Sequence, residues 1–390
     1  MSTYPTYKLS DVADILDSSR KPINSTERTK RIQGKTENEL YPYYGATGQV
    51  GLIDEYLTDG EYVLVGEDGA PFLEPFKNKS YIIRGKAWVN NHAHILSGKK
   101  DVLSNQYLNY FLNSFDYRNY VNGTTRLKLT QGNLTQIPFP LPPLPTQHAI
   151  VTRIETLFAE LDKAVQHLRT AQQQLKTYRQ AVLNHWLNND EGKWEMVKLG
   201  NIADVNTGST PKRGNKDYWE NGNIPWITSG ETNNPYITKA TEFITTKAIA
   251  ETNCKIIAKG SLVIAMYGEG KTRGKCAELS IDATTNQALA SITFTDSRMY
   301  KNFAKWFFEK DYEDMRMLSS GGVQPNLNLG IIKNMILPLP PLAEQQRIVQ
   351  EIESRLSQAT ATETYIENAL QQAEALRQSI LKKAFSGELV

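Results

Sequence analysis

Few residues in this chain invite a chemical reading. Ala265-Met266-Tyr267-Gly268-Glu269-Gly270-Lys271-Thr272 follows an apolar run and fits a relaxed phosphate-loop pattern, with Ala in place of the first Gly. Such a loop wraps phosphates in backbone N–H groups and requires a helix to begin just after Lys-Thr. Gly274 comes too early for that helix, and residues 277–290 lack helical periodicity. Glu269-Gly270-Lys271 also has the Glu-x-Lys spacing of many metal-dependent nucleases, but no acid stands between Glu251 and Glu269 to complete a metal site. Asn233-Asn234-Pro235-Tyr236 is one proline short of the Asn-Pro-Pro-Tyr motif of amino-methyltransferases, and no Gly-rich methyl-donor loop follows a strand. His92 and His94 flank Ala93 and could share a metal. With no Cys or third His beside them, plain hydrogen bonding is the favoured reading. No Ser-His-Asp or Cys-His arrangement is readable. The chain is therefore expected to do no covalent chemistry and to hold no cofactor and no metal.

What remains is an inventory for binding. Arg20, Lys21, Arg28, Lys30, Arg31 and Lys35 crowd one stretch against the single acid Glu27, and Lys271, Arg273 and Lys275 alternate with Thr272 and Gly274. Net charge is only +2, so basic surface is local rather than global. Two loop segments mix aromatics, small residues and polar side chains able to meet base edges: residues 43–49 and 224–231. Gln can grip adenine, Glu can accept from cytosine, and Arg or Lys can grip guanine or phosphate. Candidate base readers are Tyr44, Thr47, Gln49, Asn91 and His92 in the first half, and Thr228, Ser229, Glu231 and Gln324 in the second. Candidate phosphate contacts are Lys21, Arg31, Arg126 and Lys128, then Lys212, Arg213, Lys271, Arg273 and Lys275. Core packing for Tyr43 and Trp226, and turn formation for Thr228, Ser229 and Glu231, remain open beside those roles.

The elements that must position these residues come in duplicate. Pro140-Leu141-Pro142-Pro143-Leu144 returns as Pro338-Leu339-Pro340-Pro341-Leu342, 198 positions later. The register then holds for about fifty residues: Gln147 with Gln345, Ile154-Glu155 with Ile352-Glu353, Arg179-Gln180 with Arg377-Gln378. Ile150, Ile154, Leu157, Leu161, Ala164, Leu168, Ala171, Leu175, Tyr178 and Val182 step alternately by four and three, the seam of a coiled coil. Ile348, Ile352, Leu356, Ala359, Ile366, Ala369, Ala373, Leu376 and Ile380 form the second stripe, interrupted by Arg355 and Thr362. A helix over 146–188, capped by Thr146 after Pro145, and another over 344–385 are predicted, each about 60 Å long and paired with the other. Strand-like runs such as Glu61–Val65, Ser80–Ile83 and Ser261–Met266 mark the remaining segments. Fainter repeats tie Lys8-Leu9 to Lys198-Leu199, Pro42-Tyr43 to Pro225-Trp226, and Asn91-His92 to Asn286-Gln287. The expected organisation is a globular domain over 1–140, a spacer helix over 141–190, a second domain over 191–337 and a second spacer helix over 338–390. Hydrophobic residues make up 40% and charged residues 22%, with no membrane-length apolar run, no signal pattern and two cysteines, so a cytoplasmic protein is expected.

In this order of elements the chain resembles the specificity subunit of type I restriction–modification systems. The phrases that carry the resemblance are Tyr43-Tyr44-Gly45-Ala46-Thr47-Gly48, Gly66-Glu67-Asp68-Gly69-Ala70, Val89-Asn90-Asn91-His92-Ala93-His94, Ile224-Pro225-Trp226-Ile227-Thr228, Gln345-Gln346-Arg347-Ile348 and the closing residues 377–387. The resemblance implies an α+β fold: two mixed α/β target recognition domains separated by two long antiparallel coiled-coil helices, with an internal pseudo-twofold repeat. It implies a non-catalytic subunit for host defence that directs DNA methylation and restriction to an asymmetric bipartite site. It implies double-stranded DNA, two modification (methyltransferase) subunits and two restriction subunits as partners, and S-adenosylmethionine, Mg and ATP as cofactors of those partners. Ile150, Ile154, Leu157, Leu161, Leu168, Leu175, Ile348, Ile352, Ile366, Leu376 and Ile380 are the docking-helix candidates. Two other readings stay open: a phosphate-loop nucleotide-binding protein built on 265–272, and a helical scaffold that binds only proteins.

Overall fold

The computed structural model describes residues 4–188, 192–268, 271–318 and 326–390. The chain forms two compact units, Met1–Ala171 with Tyr365–Val390, and Gln172–Thr364. Each unit holds one globular body and a stretch of both long helices, Leu144–Leu187 and Leu342–Ser386. Both helices start earlier than expected. Proline fits the first turn, where its missing N–H has no intrahelical partner, so Leu144 and not Thr146 opens the first helix.

In unit one a six-stranded sheet runs in the order Ala13–Ile15, Ala93–Gly98, Thr58–Gly66, Ser80–Val89, Tyr41–Gly45, Gly48–Ile53. Neighbours are antiparallel except Tyr41–Gly45 beside Ser80–Val89. The central strand is covered on both faces, so its run is apolar without alternation. Val63 and Val65 face a core shared with the helix Asn105–Ser114, and Leu64 faces the other side.

Unit two repeats the plan with Ala203–Thr207, Leu289–Phe294, Leu262–Ala265 and Cys276–Leu279 side by side. Its central strand also has two buried faces, Leu262 and Ile264 against Val263 and Ala265. The single strand Ser80–Val89 is matched by two short ones, Cys276–Leu279 and Thr284–Thr285. Unit two therefore has a five-stranded and a three-stranded sheet. Each body is closed at its base by a strand pair, Thr6–Lys8 with Pro138–Pro140 and Glu195–Lys198 with Ile336–Leu339.

The long helices are antiparallel within each unit. In unit one Ile150, Val151 and Ile154 share a core with Ile380, Leu381 and Phe385. In unit two the repeat equivalents Ile348, Val349 and Ile352 share one with Val182, Leu183 and Leu187. Polar contacts repeat as well. Arg377 pairs with Asp162 and stacks 4.3 Å over the Phe158 ring, while its equivalent Arg179 donates to Thr360 at 2.8 Å and Glu363 at 3.1 Å. The expected seam drifts along the first helix. Leu157, Leu161, Leu168 and Leu175 are half-buried, but Val165 and Arg179 turn inward where Ala164 and Tyr178 were expected, and Leu376 is exposed. A straight helix slips against a heptad pattern, which accounts for the drift.

Where each long helix leaves its body, one buried amide fastens it. Gln147 donates through Nε2 to the Val102 carbonyl at 2.8 Å and the Pro142 carbonyl at 2.9 Å, and its Oε1 accepts from the Ser104 N–H at 2.9 Å. Gln345 repeats this with the Arg298 carbonyl at 2.8 Å, the Pro340 carbonyl at 2.7 Å and the Tyr300 N–H at 2.7 Å. Both side chains are fully buried. Gln147→Leu and Gln345→Leu should each cost about 2–3 kcal/mol, because three backbone groups lose their partner, and a lowered denaturant midpoint measures the loss.

Candidate nucleic-acid interface

Unit one gathers four loops into a rim by backbone hydrogen bonds. The Asn90 N–H donates to the Tyr44 carbonyl at 3.0 Å, Glu67 N–H to His92 at 2.7 Å, and Leu129 N–H to Glu67 at 2.7 Å. Glycine is required where these loops crowd. A Cβ on Gly66 would lie 2.3 Å from that of Ala70, and Gly69 holds φ +70° against the Arg126 guanidinium. The adjacent acids of this loop organise the charge. Asp68 Oδ1 accepts from Arg126 at 2.8 Å and contacts His92 Nδ1 at 2.7 Å. Glu67 binds Arg20 and, at 2.9 Å, Lys128. Beneath it Arg20 also reaches Asp17 at 3.0 Å, and the fully buried His94 contacts Asp17 at 2.6 Å and the Leu129 carbonyl at 2.8 Å. Asp17, Glu67 and His94 bring metal-ligating atoms within 4.8 Å of one another, but Arg20 contacts both carboxylates and supplies the positive charge there. Burial opposes ionising Glu67. The hydrogen bonds from Arg20 and Lys128 and the nearby His94 outweigh it, so the carboxyl lies below the usual glutamate range.

Unit two stitches its rim the same way. The Asn286 N–H donates to Ile227 at 2.9 Å, Met266 N–H to Ala288 at 2.8 Å, and Leu327 N–H to Met266 at 3.1 Å. Asn90 Oδ1 accepts from His92 N–H at 2.8 Å and Asn286 Oδ1 from Ala288 N–H at 3.1 Å. These bonds correct the expected repeat: Asn90, not Asn91, is the partner of Asn286, because the side chain must close the same turn. An indole changes strand between the bodies. Trp88 donates to the Lys21 carbonyl at 2.9 Å and Trp226, on another strand, to the equivalent Ser209 carbonyl at 3.0 Å. Side chains and loop lengths differ. Unit one joins two strands by a tight turn at Ala46–Thr47, and unit two inserts residues 228–241 at that point. The alternative reading of residues 265–272 as a nucleotide phosphate loop lacks its helix. Glu269 and Gly270 lie outside the described residues, and after Lys271 the chain turns and enters the strand Cys276–Leu279 instead of a helix.

The family model of the type I restriction modification DNA specificity domain matches residues 1–168 and 191–372. The chain belongs to that family. A putative type I restriction enzyme specificity subunit of Haemophilus influenzae is 29% identical over 353 residues, covering 87% of this chain and 84% of the relative. The EcoR124I/EcoR124II specificity subunit of Escherichia coli is 23% identical, covering 89% and 82%. Among solved structures, one described under the complex assembly and conformational transition of the type I restriction–modification system superposes with a TM-score of 0.77 at 17% identity, covering 99% of this chain and 98% of that one. The HsdS subunit of Thermoanaerobacter tengcongensis gives 0.60 at 16%, covering 99% and 97%. Both share the fold. The protein is thus a non-catalytic specificity subunit of the type I restriction–modification family.

The specificity subunit places its expected readers unevenly. Thr47 and Arg126 line one shallow groove with Gly69, and Gln49 and Asn91 are exposed. Tyr44 packs against Tyr81, with ring centroids 5.9 Å apart. Lys21 is exposed with its ammonium 5.8 Å from the Trp88 ring. Arg31 is held by Asp54 and Glu55 over Trp88, and Arg213 by Glu242 between Trp219 and Trp226. Each cation thus has a carboxylate partner within its own body, Arg31 half-buried and Arg213 exposed. Glu231 is likewise occupied: one oxygen accepts from the Thr228 N–H and hydroxyl, the other from the Thr241 N–H and hydroxyl, which closes a turn around Ser229. Lys212 and Lys271 are exposed, Arg273 is half-buried, and Lys275 donates to Asn233 at 2.9 Å. Gln324 lies outside the described residues. Ile150, Ile154, Ile348, Ile352, Ile366 and Ile380 are buried within their own units, so these side chains face inward rather than toward a partner. Arg20, Glu67 and Asp68 were absent from the expected site. Two adjacent acids between glycines are the feature of the sequence that marks Glu67 and Asp68, and Arg20 stands only within a basic cluster.

Glu67 should leave a pH signature. Its carboxyl is lowered in the folded state, so its contribution is complete above the ordinary glutamate range and fades as pH falls through the lowered value. Glu67→Gln should therefore flatten the acid limb of Tm against pH, with little change in limb shape near neutrality.

Proposed function

We propose that the two rims each read one half of a split, asymmetric DNA site and so give a type I restriction–modification complex its address. One observation carries this reading: two equivalent backbone frames hold unlike side chains and unlike loop lengths. A shared frame sets the same approach to a duplex, and its variable surface sets the bases met. In unit one Thr47, Gln49, Asn91 and His92 stand as readers, with Lys21 and Lys128 toward the backbone and Arg126 placed to meet a base edge on the right site or a phosphate on a wrong one. In unit two Lys212, Lys271, Arg273 and Lys275 serve phosphates, and Ser229 and Gln324 remain reader candidates. The outward faces of the long helices dock two modification subunits, and restriction subunits join the larger assembly in the cytoplasm. S-adenosylmethionine, Mg and ATP belong to those partners, and the adenine to be methylated is flipped there.

Methylation mapping in cells that express the chain with its modification partner tests the reading. Replacing residues 4–140 with those of another member should change one half-site and leave the other intact. A continuous palindromic target, or both halves changing together, overturns it. Lys271→Ala should weaken binding to all sequences alike and reduce the salt slope by about one.

A further inference from the structure

We propose that Asp68 and Glu67 form a specificity filter in unit one. These positioning carboxylates hold Arg126, His92 and Lys128 in internal pairs, and these side chains leave the pairs only for a correctly placed duplex. The proposal deepens the reading of unit one as a DNA reader and rests on it.

The geometry supports a filter more than a simple basic patch. Asp68 Oδ1 takes both Arg126 at 2.8 Å and His92 at 2.7 Å, so one carboxylate sets two candidate contacts at once. The Arg126 side chain is 63% exposed while that of Asp68 is 21% exposed. The cation is at the surface and its anchor lies under it. Half-exposed pairs of this kind are weak, and a bidentate base edge can replace them. A misplaced duplex offers no such edge, and drawing the side chains off toward its phosphates would leave a carboxylate uncompensated beside them, a cost that works against wrong sites. Glu67 is held in place by Arg20, which is itself held by Asp17, the partner of the buried His94. Unit two serves as an internal comparison. The backbone bonds make Met266 and Tyr267 the equivalents of Glu67 and Asp68, and Ala288 that of His92. No carboxylate stands at those two positions, so the filter belongs to one half-site.

The test uses the chain assembled with its modification subunits, a duplex carrying the mapped site and a scrambled duplex of equal length, titrated across salt. Asp68→Asn should bind the scrambled duplex about threefold more tightly at low salt, with a salt slope steeper by about one, because Arg126 is freed for phosphate. Its preference for the mapped site should narrow, methylation should relax in one half-site only, and Asp68→Glu should restore the wild-type ratio. Equal weakening on both duplexes, the result of mere destabilisation, overturns the filter, as does an unchanged ratio. Should Asp68→Asn not fold, Arg126→Gln decides from the other side. It should weaken the mapped duplex about tenfold and leave the scrambled one within about twofold, and an equal loss on both rejects the proposal. If replacing residues 4–140 moves neither half-site, the parent reading fails. If that replacement moves one half-site while Asp68→Asn leaves discrimination intact, only the filter fails.

Discussion

The buried amide at the root of each long helix is the constraint on which the rest of the structure depends. Gln147 and Gln345 each join a proline carbonyl of the helix's own approach to a carbonyl and an N–H of the body. Buried amides are tolerated only when satisfied, so this geometry admits one direction for the helix relative to the body beneath it. The proline-rich approach stiffens the same joint. Because both copies use the same atoms at nearly the same distances, the body–helix joint is built identically in each unit. The rims above are then free to diverge.

Divergence follows a physical division of labour. Backbone bonds hold the loops together in both rims, so side chains are released from structural duty and can vary. Where a side chain does take on such duty, the two bodies solve the problem differently. The indole that meets the Lys21 carbonyl comes from one strand in unit one, and the one that meets Ser209 comes from another in unit two. Unit one buries a charge network of Arg20, Asp17, Glu67 and His94, whereas Met266 and Ala290 fill the matching places in unit two. A satisfied buried network specifies one arrangement of its members, and an apolar filling is more forgiving.

Much of the basic surface that stood out in the chain serves the fold. Arg31 and Arg213 both lie over indoles with a carboxylate alongside, which combines cation–π and ionic attraction at one place. Sequence clustering of positive charge cannot distinguish such arginines from those offered to a ligand, since the acids that match them lie more than twenty residues away.

The duplication, the two long helices and the class of each body were determined by the sequence alone. Helical periodicity is a local property, and a constant offset of 198 survives because rods tolerate no insertions. The central strands were legible for a related reason: sheets buried on both faces leave uninterrupted apolar runs. Tertiary structure alone decided the rest. It turned Val165 and Arg179 inward in place of Ala164 and Tyr178, matched Asn90 rather than Asn91 to Asn286, and closed Glu231 into a turn. It also brought Glu67 and Asp68 to side-chain partners 24 to 61 positions away. Contacts between distant residues depend on where loops of free length come to rest, and a linear pattern carries no record of that.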